Sequence, residues 1–372
     1  MDFADDADVA AFRDELRAWL TAHVGEYQGR TGYHGADSLE QTRRWHRALA
    51  AAGYVCVSLP AEYGGRGLPD RYEAVVNAEL SRAEAPPGPP IGHIAHALAD
   101  FASDDLKART LPGLIGCTEV WCQGFSEPGA GSDLASLSTT ARADGDRFVV
   151  NGQKIWTSGA MWSDWCLLFA RTEPDVARHR GLSMLVVDMR SPGIDRREIT
   201  LASGSREFAE VFFDEVEVPA ANLVGARGQG WTIAMHLLGY ERGPADMGWV
   251  GRLGNVVAGA RAAVASGRVT ADAGTLERLA ASAVDVEVLG WQVARSLESR
   301  ATEQGSVDKL LSTRVEQQLY HVMSDLLGPA FVLGGTEPFA DYLWSRAQSI
   351  YGGTEQIQRQ IVAQRLLGLP RG

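Results

Sequence analysis

Residues 147–156 read RFVVNGQKIW, and this stretch decides the fold class because it breaks a helical pattern with the period of two that is typical of β-strands. Its Asn-Gly pair at 151–152 predicts a tight hairpin turn between two strands. Further strands are predicted in CLLFARTE, GLSMLVVDM and REFAEVFFDEVEVP, and the pattern ends at Pro219 and the loop GARGQG. We therefore expect a middle β-domain over residues 117–224.

The segments on either side of this β-domain have helical periodicity. From Val9 to about Thr110, apolar residues recur at three-to-four spacing, interrupted by the loops PAEYGGRGLPD and PPGPP (86–90). Beyond Gly230 the same spacing returns over long stretches that predict a helical bundle. The chain is thus predicted to be an α+β protein, with a helical N-terminal domain (1–116), the β-domain and a C-terminal helical bundle (225–372).

Composition narrows the classes of protein that fit. The 372 residues carry a formal net charge of −12, which disfavours a phosphate-backbone partner, so no nucleic acid is expected. The acidic start MDFADDADVAAF lacks the basic and apolar regions of a signal peptide, and no apolar run reaches the roughly 18 residues of a membrane span. We expect a cytoplasmic protein with no membrane partner.

The histidines and cysteines do not have the spacing of a metal or redox site. His93 and His96 are three residues apart, but no further ligands lie nearby, so packing is favoured over metal binding. The cysteines lack CxxC spacing and lie in apolar surroundings, which favours buried thiols: Cys56, Cys117, Cys122 and Cys166. No metal site is expected.

The segment FSEPGAGSDLAS (125–136) carries residue types suited to a phosphate. The backbone N–H groups around Gly129 and Gly131 can approach an anion closely, and the hydroxyls of Ser126 and Ser132 can donate hydrogen bonds. A small-residue loop of this kind is, however, more often only a turn.

The segment NGQKIWTSGA (151–160) carries residue types suited to a flat cofactor with polar edges. A strand ends here with Trp156, a planar apolar surface, followed by the hydroxyls of Thr157 and Ser158. The alternative is that Trp156 belongs to the ordinary core, which is the usual environment of a strand tryptophan.

The chain resembles the acyl-CoA dehydrogenase family over nearly its whole length. The resemblance is carried by four segments in the same order: the two just described, AEVFFDEVEVP and the near-terminal YGGTEQIQRQIVAQRLLGLP. The resemblance implies a helical N-terminal domain, a middle β-domain and a C-terminal four-helix bundle, with FAD between the sheet and the bundle. It implies that Ser158 lies near flavin N5. It further implies that the following residues bind FAD: Gln123, Phe125, Ser126, Gly131, Ser132, Trp156, Thr157, Ser158, Thr354 and Gln356.

The catalytic base needs a separate assignment. In many family members the second residue of the tetrad that reads YGGT here is the catalytic glutamate, whereas this chain has Gly352, which cannot accept a proton. A subset of the family uses a glutamate followed by arginine on the first bundle helix, and LLGYERGPADM places Glu241 and Arg242 there. We expect Glu241 to be the base, with Arg242 and Ser132 at the substrate. The alternative is an ion pair of Glu241 with Arg242 or another cation at a helix surface.

The resemblance also implies a reaction and its partners. The base removes the α-proton of an acyl-CoA while the β-hydride passes to flavin N5, and the electrons continue to an electron-transfer flavoprotein. An acyl carrier protein thioester could take the place of acyl-CoA. Three alternatives stay open: an enoyl-CoA reductase, an oxygen-using flavoenzyme of the same fold, and a degenerate subunit that supports an active homologue.

Two segments depart from the family pattern. Many homotetrameric members carry an Arg-Lys-x-Phe-Gly run and a Gln-x-x-Gly-Gly turn that reach the FAD of a neighbouring subunit, and neither is intact in the corresponding residues 265–279 and 325–335. With the YGGT tetrad, these changes resemble a bacterial branch that includes steroid side-chain dehydrogenases, some of them α2β2 heterotetramers. We expect either a homo-oligomer or a heterotetramer with a paralogue.

Overall fold

The structure, a computed structural model, describes residues 5–25, 27, 36–241, 243–299, 303–333 and 337–370, with side chains for all of these except 36–38, 241 and 337. Its first part is helical, as predicted. The prolines and glycines of residues 60–70 and 86–90 separate the second, third and fourth helices. The helices are α1 (Ala7–His23), α2 (Ala36–Ala51), α3 (Arg71–Arg82), α4 (Gly92–Phe101) and α5 (Asp104–Ile115).

The middle part of the chain forms one mixed sheet. Its strands are β1 (Trp121–Gly124), β2 (Thr140–Asp144), β3 (Arg147–Ser158), β4 (Trp165–Arg171), β5 (Leu182–Asp188), β6 (Ile194–Ile199), β7 (Phe208–Pro219) and β8 (Leu223–Val224). Within the described residues they are ordered β6-β7-β3-β2-β4-β5-β8, with β1 beside β4. β1 and β2 pair with β4 in parallel, and the other pairs are antiparallel.

The last part of the chain returns to helices, so the predicted α+β class is confirmed. These helices are α6 (Gly230–Glu241), α7 (Pro244–Ala265), α8 (Ala273–Ser299), α9 (Gln304–Leu327), α10 (Pro329–Leu333), α11 (Glu337–Ser345) and α12 (Glu355–Ile361). α6 packs against α4 and β5, and the long helices α7, α8 and α9 pack on one another.

The sheet has an apolar core on each face. Along β4, Leu167 and Phe169 point into a core shared with the N-terminal helices and α6, whereas Cys166, Leu168 and Ala170 point into a second core on the opposite face. A third core lies among α7, α8 and α9. Although α6 opens the C-terminal part in sequence, its buried face belongs to the first core, which places its C-terminal end beside α4.

The hairpin predicted at Asn151-Gly152 is wrong. β3 continues through these residues without a turn, and the turn that joins β2 to β3 lies at Gly145, whose φ is +63°. Asn151 marks a bulge against β7 instead, since its side chain accepts from Glu215 N at 2.9 Å and donates to Glu215 Oε1 at 2.6 Å. A Cβ at Gly152 would lie 2.5 Å from Thr139 Oγ1, so the glycine allows Thr139 to approach β3 closely.

The described ranges also bear on membrane and metal binding. None of their helices combines the length and apolar character that crossing a bilayer requires. They contain no group of three or more His, Cys, Asp or Glu side chains arranged to hold a metal ion. All four cysteines are free thiols, and three of them are buried.

Two side-chain hydrogen bonds fasten α2 to the PPGPP loop. Trp45 Nε1 donates to Pro86 O at 2.9 Å, and His46 Nε2 donates to Pro87 O at 3.2 Å. Burial lowers the pKa of His46 to about 4, although the bond to Pro87 opposes the shift. The imidazole is therefore neutral in the folded protein at neutral pH.

Replacing His46 by Gln should make the fold less sensitive to acid. As pH falls from 6.5 to 4, the unfolded chain binds a proton at His46 that the folded chain does not, so this residue removes up to about 3 kcal/mol of stability over that interval. Urea midpoints measured across the interval should fall less steeply in His46→Gln than in the wild type. His179→Gln, at an exposed histidine, is the control. A wild-type slope in His46→Gln would contradict the prediction.

Candidate active site

A buried ion pair holds the glycine-rich loop that follows β1. Lys154 on β3 is fully buried, and its Nζ donates to Glu127 Oε1 and to the Phe125 carbonyl, both at 2.9 Å. Glu127 also accepts from Ser138 N and Oγ at 2.6 and 2.7 Å, and from Thr139 N at 2.8 Å. The pair thus ties both ends of the loop to β3.

The surroundings of the pair keep both partners ionised at neutral pH. Burial lowers the pKa of Lys154 to about 8, against the opposing effect of Glu127. Burial alone would raise the pKa of Glu127, but Lys154 and the hydrogen bonds from Thr139 and Ser138 together lower it to about 2. Loss of either partner would leave the other charge buried and uncompensated.

A second bulge in β3 places Trp156 at the surface. The register with β7 shifts between Lys154 and Thr157, and Trp156 has a φ of +60°, a strained value for a bulky residue. Its side chain is 54% exposed, and Ser158 is exposed on the same face. Thr157 is buried on the opposite face, where its Oγ1 has no hydrogen-bond partner among the described residues. Strain that exposes a large ring favours a ligand-binding surface.

Trp156 begins a row of aromatic rings that crosses to the C-terminal helices. Its ring meets Phe208 edge-on with centres 6.1 Å apart, and Phe208 stacks on Trp344 of α11 at 5.7 Å and 13°. Trp344 contacts Tyr351 at 6.1 Å. Because Tyr351 is the first residue of YGGT, the strand segment and the C-terminal segment lie at one junction between the sheet and the helices.

The Gly352-Gly353 turn at this junction is held by Gln358. Both glycines have left-handed φ values, +62° and +90°. Gln358 is fully buried, and its Nε2 donates to Gly352 O at 2.8 Å. Thr354 then caps α12 through its hydroxyl, and Gln356 is exposed on the first turn of that helix. The turn therefore has a fixed shape although two glycines form it.

Gly352 lies beside a lysine. A Cβ at this position would be 3.7 Å from Lys309 Cε and 3.8 Å from its Nζ. The Lys309 ammonium also lies 4.2 Å from the centre of the Tyr351 ring and donates to Gln348. A carboxylate at position 352 would face this cation, which would lower its pKa and weaken it as a proton acceptor. The surroundings of position 352 are thus unsuited to a base in this chain.

Glu241 is the last residue of α6. Its side chain lies outside the described residues, as does the whole of Arg242, so the predicted roles of both stay predictions. The preceding residue, Tyr240, stacks on His96 of α4 with ring centres 4.0 Å apart. The position predicted for the base therefore lies where α6 meets the N-terminal helices.

The other residues predicted for FAD lie on β1 and on the glycine-rich loop that follows it. Phe125 is buried, and its ring centre lies 5.3 Å from that of Phe169. Phe169 in turn contacts Trp231 at the start of α6, at 6.4 Å, so the loop and α6 share a core. The remaining residues are accessible: Gln123 and Ser126 are half-buried, and Gly131 and Ser132 are exposed.

A cavity of about 480 Å³ opens beyond the end of this loop. Arg171 donates to the carbonyls of Ala135 and Leu137, and the exposed Arg178 pairs with Asp133 at 2.9 Å. Two guanidinium groups therefore lie in its wall. The lining residues are Ser136, Leu137, Ser138, Arg171, Pro174, Val176 and Arg178.

Comparison with known proteins agrees with this arrangement. The chain matches the family models for the N-terminal, middle and C-terminal domains of acyl-CoA dehydrogenases over residues 6–117, 122–216 and 228–367. The chain belongs to the acyl-CoA dehydrogenase family. It is 39% identical to acyl-CoA dehydrogenase IpdE1 of Mycobacterium tuberculosis, with 98% of each chain covered.

Solved structures of acyl-CoA dehydrogenases share the fold. The Tcur3481-Tcur3483 steroid ACAD superposes with a TM-score of 0.88 at 28% identity, and all of both chains is covered. The ChsE4-ChsE5 complex from Mycobacterium tuberculosis superposes with a TM-score of 0.84, also at 28% identity and over all of both chains. As a member of this family, the protein is an oxidoreductase that depends on FAD, which confirms the predicted family, fold and cofactor.

The chemistry of the residues at the junction fits this cofactor. The exposed face of Trp156 can stack on a flavin ring, and the Ser158 hydroxyl can donate to a ring edge. Gly131 leaves open space, since a Cβ there would meet nothing within 4 Å. The acyl-CoA dehydrogenase thus has a planar surface and a hydroxyl donor in one strand, with an open glycine in the neighbouring loop.

Sequence reasoning missed the residues that support this site. Lys154 carried one usable signal, because a lysine inside an otherwise apolar strand must find an acceptor when it is buried. Its partner Glu127 is 27 residues away, and no spacing rule connects the two. Phe208, Trp344 and Gln358 gave no signal, since their contacts join elements that are far apart in sequence.

Replacing Lys154 by Met should destabilise this acyl-CoA dehydrogenase by about 3–5 kcal/mol, because the Glu127 carboxylate stays buried without its cation. Glu127→Gln should also be costly, and the double variant should lose less than the sum of the two, as urea unfolding would measure. The control is Asp144→Asn, which breaks a pair with Arg147 whose side chains are both 44% exposed and should cost at most about 1 kcal/mol. Additive losses in the double variant would contradict a coupled pair.

Proposed function

We propose that this acyl-CoA dehydrogenase introduces a double bond between Cα and Cβ of an acyl-CoA thioester, with Glu241 as the base. The observation that most supports this proposal is the strained and exposed Trp156, which lies at the junction with the YGGT turn. In that turn Gly352 faces Lys309, so the base has to come from another element. Glu241, at the end of α6, coincides with the alternative base position of the family.

The proposed reaction assigns a separate task to each residue. When bound, FAD accepts the β-hydride at N5. Glu241 takes the α-proton, and Trp156 and Ser158 would hold the flavin ring, Trp156 by stacking and Ser158 by donating a hydrogen bond. Leu237, one turn before Glu241, is fully buried, and burial at this helix end would raise the pKa of a carboxyl group and make it a better base.

CoA is the favoured carrier of the acyl group. Arg178, which lines the cavity beyond the glycine-rich loop and is 66% exposed, suits a phosphate of its nucleotide because its guanidinium has more donors than the pair with Asp133 uses. A steroid-derived acyl group is supported by the relative whose name describes it as a steroid ACAD. A panel of butyryl-, isobutyryl-, octanoyl- and steroid-derived acyl-CoA with ferrocenium as acceptor tests the class. The same acyl groups on acyl carrier protein test the alternative carrier.

The electrons are proposed to pass to an electron-transfer flavoprotein, and the chain to act as an oligomer. Near the C-terminus, Leu367 and Leu369 are 66% and 53% exposed, and such apolar side chains favour burial against another chain. The relative solved as the ChsE4-ChsE5 complex supports a heterotetramer with a paralogue over a homo-oligomer. Light scattering of the chain alone and after co-expression with a paralogue distinguishes the two.

Trp156→Ala should weaken FAD binding by about tenfold or more, because it removes the ring proposed to cover the flavin. Fluorescence titration of the FAD-free protein with FAD measures the change. The matched control is Trp291→Ala on α8, since the two tryptophans are 54% and 57% exposed. Equal FAD affinity in the two variants would remove Trp156 from the flavin site.

Glu241→Gln keeps the size of the side chain but removes its basicity. The variant should retain FAD and bind acyl-CoA, while stopped-flow reduction of the flavin by the best acyl-CoA of the panel slows by at least about 10²-fold. Asp246→Asn, in the first turn of α7, is the control and should have a far smaller effect. A rate within severalfold of wild type in Glu241→Gln would place the base elsewhere, with a partner subunit as the first candidate.

A further inference from the structure

The last turn of α6 lies at a break between two helices. α6 ends at Glu241, and α7 begins at Pro244 after Gly243, whose φ of +152° and ψ of −114° suit glycine far better than other residues. Terminal turns of helices lack part of their backbone hydrogen bonds and fray unless neighbouring groups hold them. The direction of a side chain at position 241 therefore depends on what holds the residues beside it.

Tyr240, the residue before Glu241, contacts two histidine rings. His96 of α4 is buried and lies parallel to Tyr240, with ring centres 4.0 Å apart and planes 7° apart. His236, one turn earlier on α6, approaches at 5.1 Å and 56°. A parallel stack at 4.0 Å brings the two rings into van der Waals contact, which fixes the Tyr240 side chain and the backbone that carries it.

His96 is itself anchored inside the N-terminal domain. Its Nε2 lies 3.1 Å from Ser58 Oγ, and Ser58 N and Oγ donate to Glu73 Oε1 at 3.0 and 3.1 Å. Because the Ser58 hydroxyl hydrogen is directed at Glu73, His96 Nε2 carries the hydrogen and donates to Ser58. The ring orientation is thus set by the loop before α3 and by α3 itself.

The second histidine is also tied to α4. His236 Nε2 lies 2.7 Å from Asp100 Oδ2, and the edge of its ring meets Phe101 with centres 5.1 Å apart. Both histidines that flank Tyr240 therefore contact groups of the N-terminal domain, His96 through a hydrogen bond and His236 through an ion-pair contact without hydrogen-bond geometry. α6 contributes Tyr240 and His236, and α4 contributes His96, Asp100 and Phe101.

We infer that His96 and Tyr240 are positioning residues for the base. Their stack holds the backbone of the last turn of α6, which carries the proposed base. This inference rests on the function proposed for Glu241. It differs from simple packing of α4 on α6, because it requires that loss of the Tyr240 ring slows proton removal even where the fold and the flavin are unaffected.

Tyr240→Leu is the decisive variant, and Tyr240→Phe, which keeps the ring, is its conservative counterpart. With octanoyl-CoA, or with whichever acyl-CoA of the panel reduces the flavin fastest, Tyr240→Leu should reduce its flavin at least about tenfold more slowly, with little change in KM. Tyr240→Phe should stay within about twofold of wild type. The kinetic isotope effect of the α-deuterated thioester should rise in Tyr240→Leu, because a misplaced base makes proton removal more fully rate-limiting.

Two further variants separate positioning from structural damage. His96→Leu removes the other ring of the stack and should reproduce the slower reduction and the larger isotope effect. Tyr54→Leu makes the same change as Tyr240→Leu at another buried tyrosine of the N-terminal domain, which packs on Phe12 and Trp19. It should lower the melting temperature while leaving both the reduction rate and the isotope effect at wild-type values.

The outcomes distinguish failure of this inference from failure of the proposed function. If Glu241→Gln abolishes flavin reduction while Tyr240→Leu reduces its flavin at the wild-type rate with an unchanged isotope effect, the stack is only packing and the inference is wrong. If Tyr240→Leu and Tyr54→Leu slow the reaction equally, it is also wrong. If Glu241→Gln itself reduces flavin normally, the proposed base is wrong, whatever the Tyr240 variants do.

Discussion

The buried contact between Lys154 and Glu127 is the interaction on which the rest of the site depends. A lysine without solvent exposure needs acceptors, and it finds them in Phe125 O and Glu127 at the start of the loop 125–138. Glu127 in turn accepts from Ser138 and Thr139 at the end of that loop. The same strand turns outward two residues later at Trp156. One short piece of β3 therefore fixes the glycine-rich loop through its buried face and presents an aromatic ring through its exposed one. The two surfaces expected around FAD are coupled through this strand.

The strain at Trp156 is tolerated because the surroundings hold the bulge on both sides. Before it, Lys154 is anchored to Glu127, and after it, Ser158 pairs with Phe208 in the ladder with β7. Phe208 then carries the contact to Trp344 and the YGGT turn. A tryptophan with a left-handed φ costs of the order of 1–3 kcal/mol of conformational strain, and it persists only where neighbouring contacts leave no relaxed alternative. Here those contacts come from the sheet and from the C-terminal helices together.

Much of this fold is predictable from sequence, because its helical and strand periods change sharply near residue 117 and again near residue 225. The Asn151-Gly152 pair shows where such reasoning fails. Asn-Gly fits a two-residue turn, yet Asn151 finds better partners on Glu215 of β7, and the space against Thr139 admits only a glycine. The choice between turn and bulge depends on a strand more than 60 residues away. A single local window cannot contain that information.

The candidate site also has parts that the sequence predicts and parts that it does not. Trp156 and the YGGT tetrad are recognisable in the sequence through the resemblance of their segments to those of the acyl-CoA dehydrogenase family. What brings them together is a row of rings from three different elements, and no spacing in the sequence announces it. The buried position of Thr157 likewise follows from the register with β7, which the bulge shifts. Sequence thus identifies groups that can perform chemistry, whereas the contacts that aim them belong to the folded chain.

If Glu241 is the base, as proposed, proton removal depends on contacts between the two helical parts of the molecule. A base at position 352 would be oriented by the C-terminal helices, through Gln358 and Lys309. A base at position 241 instead lies at the end of a helix whose buried face belongs to the N-terminal core and whose last turn is held by His96. In the proposed enzyme the N-terminal helices therefore serve the chemistry directly. A change that weakened the packing of α4 on α6 without altering the flavin site would therefore still slow proton removal.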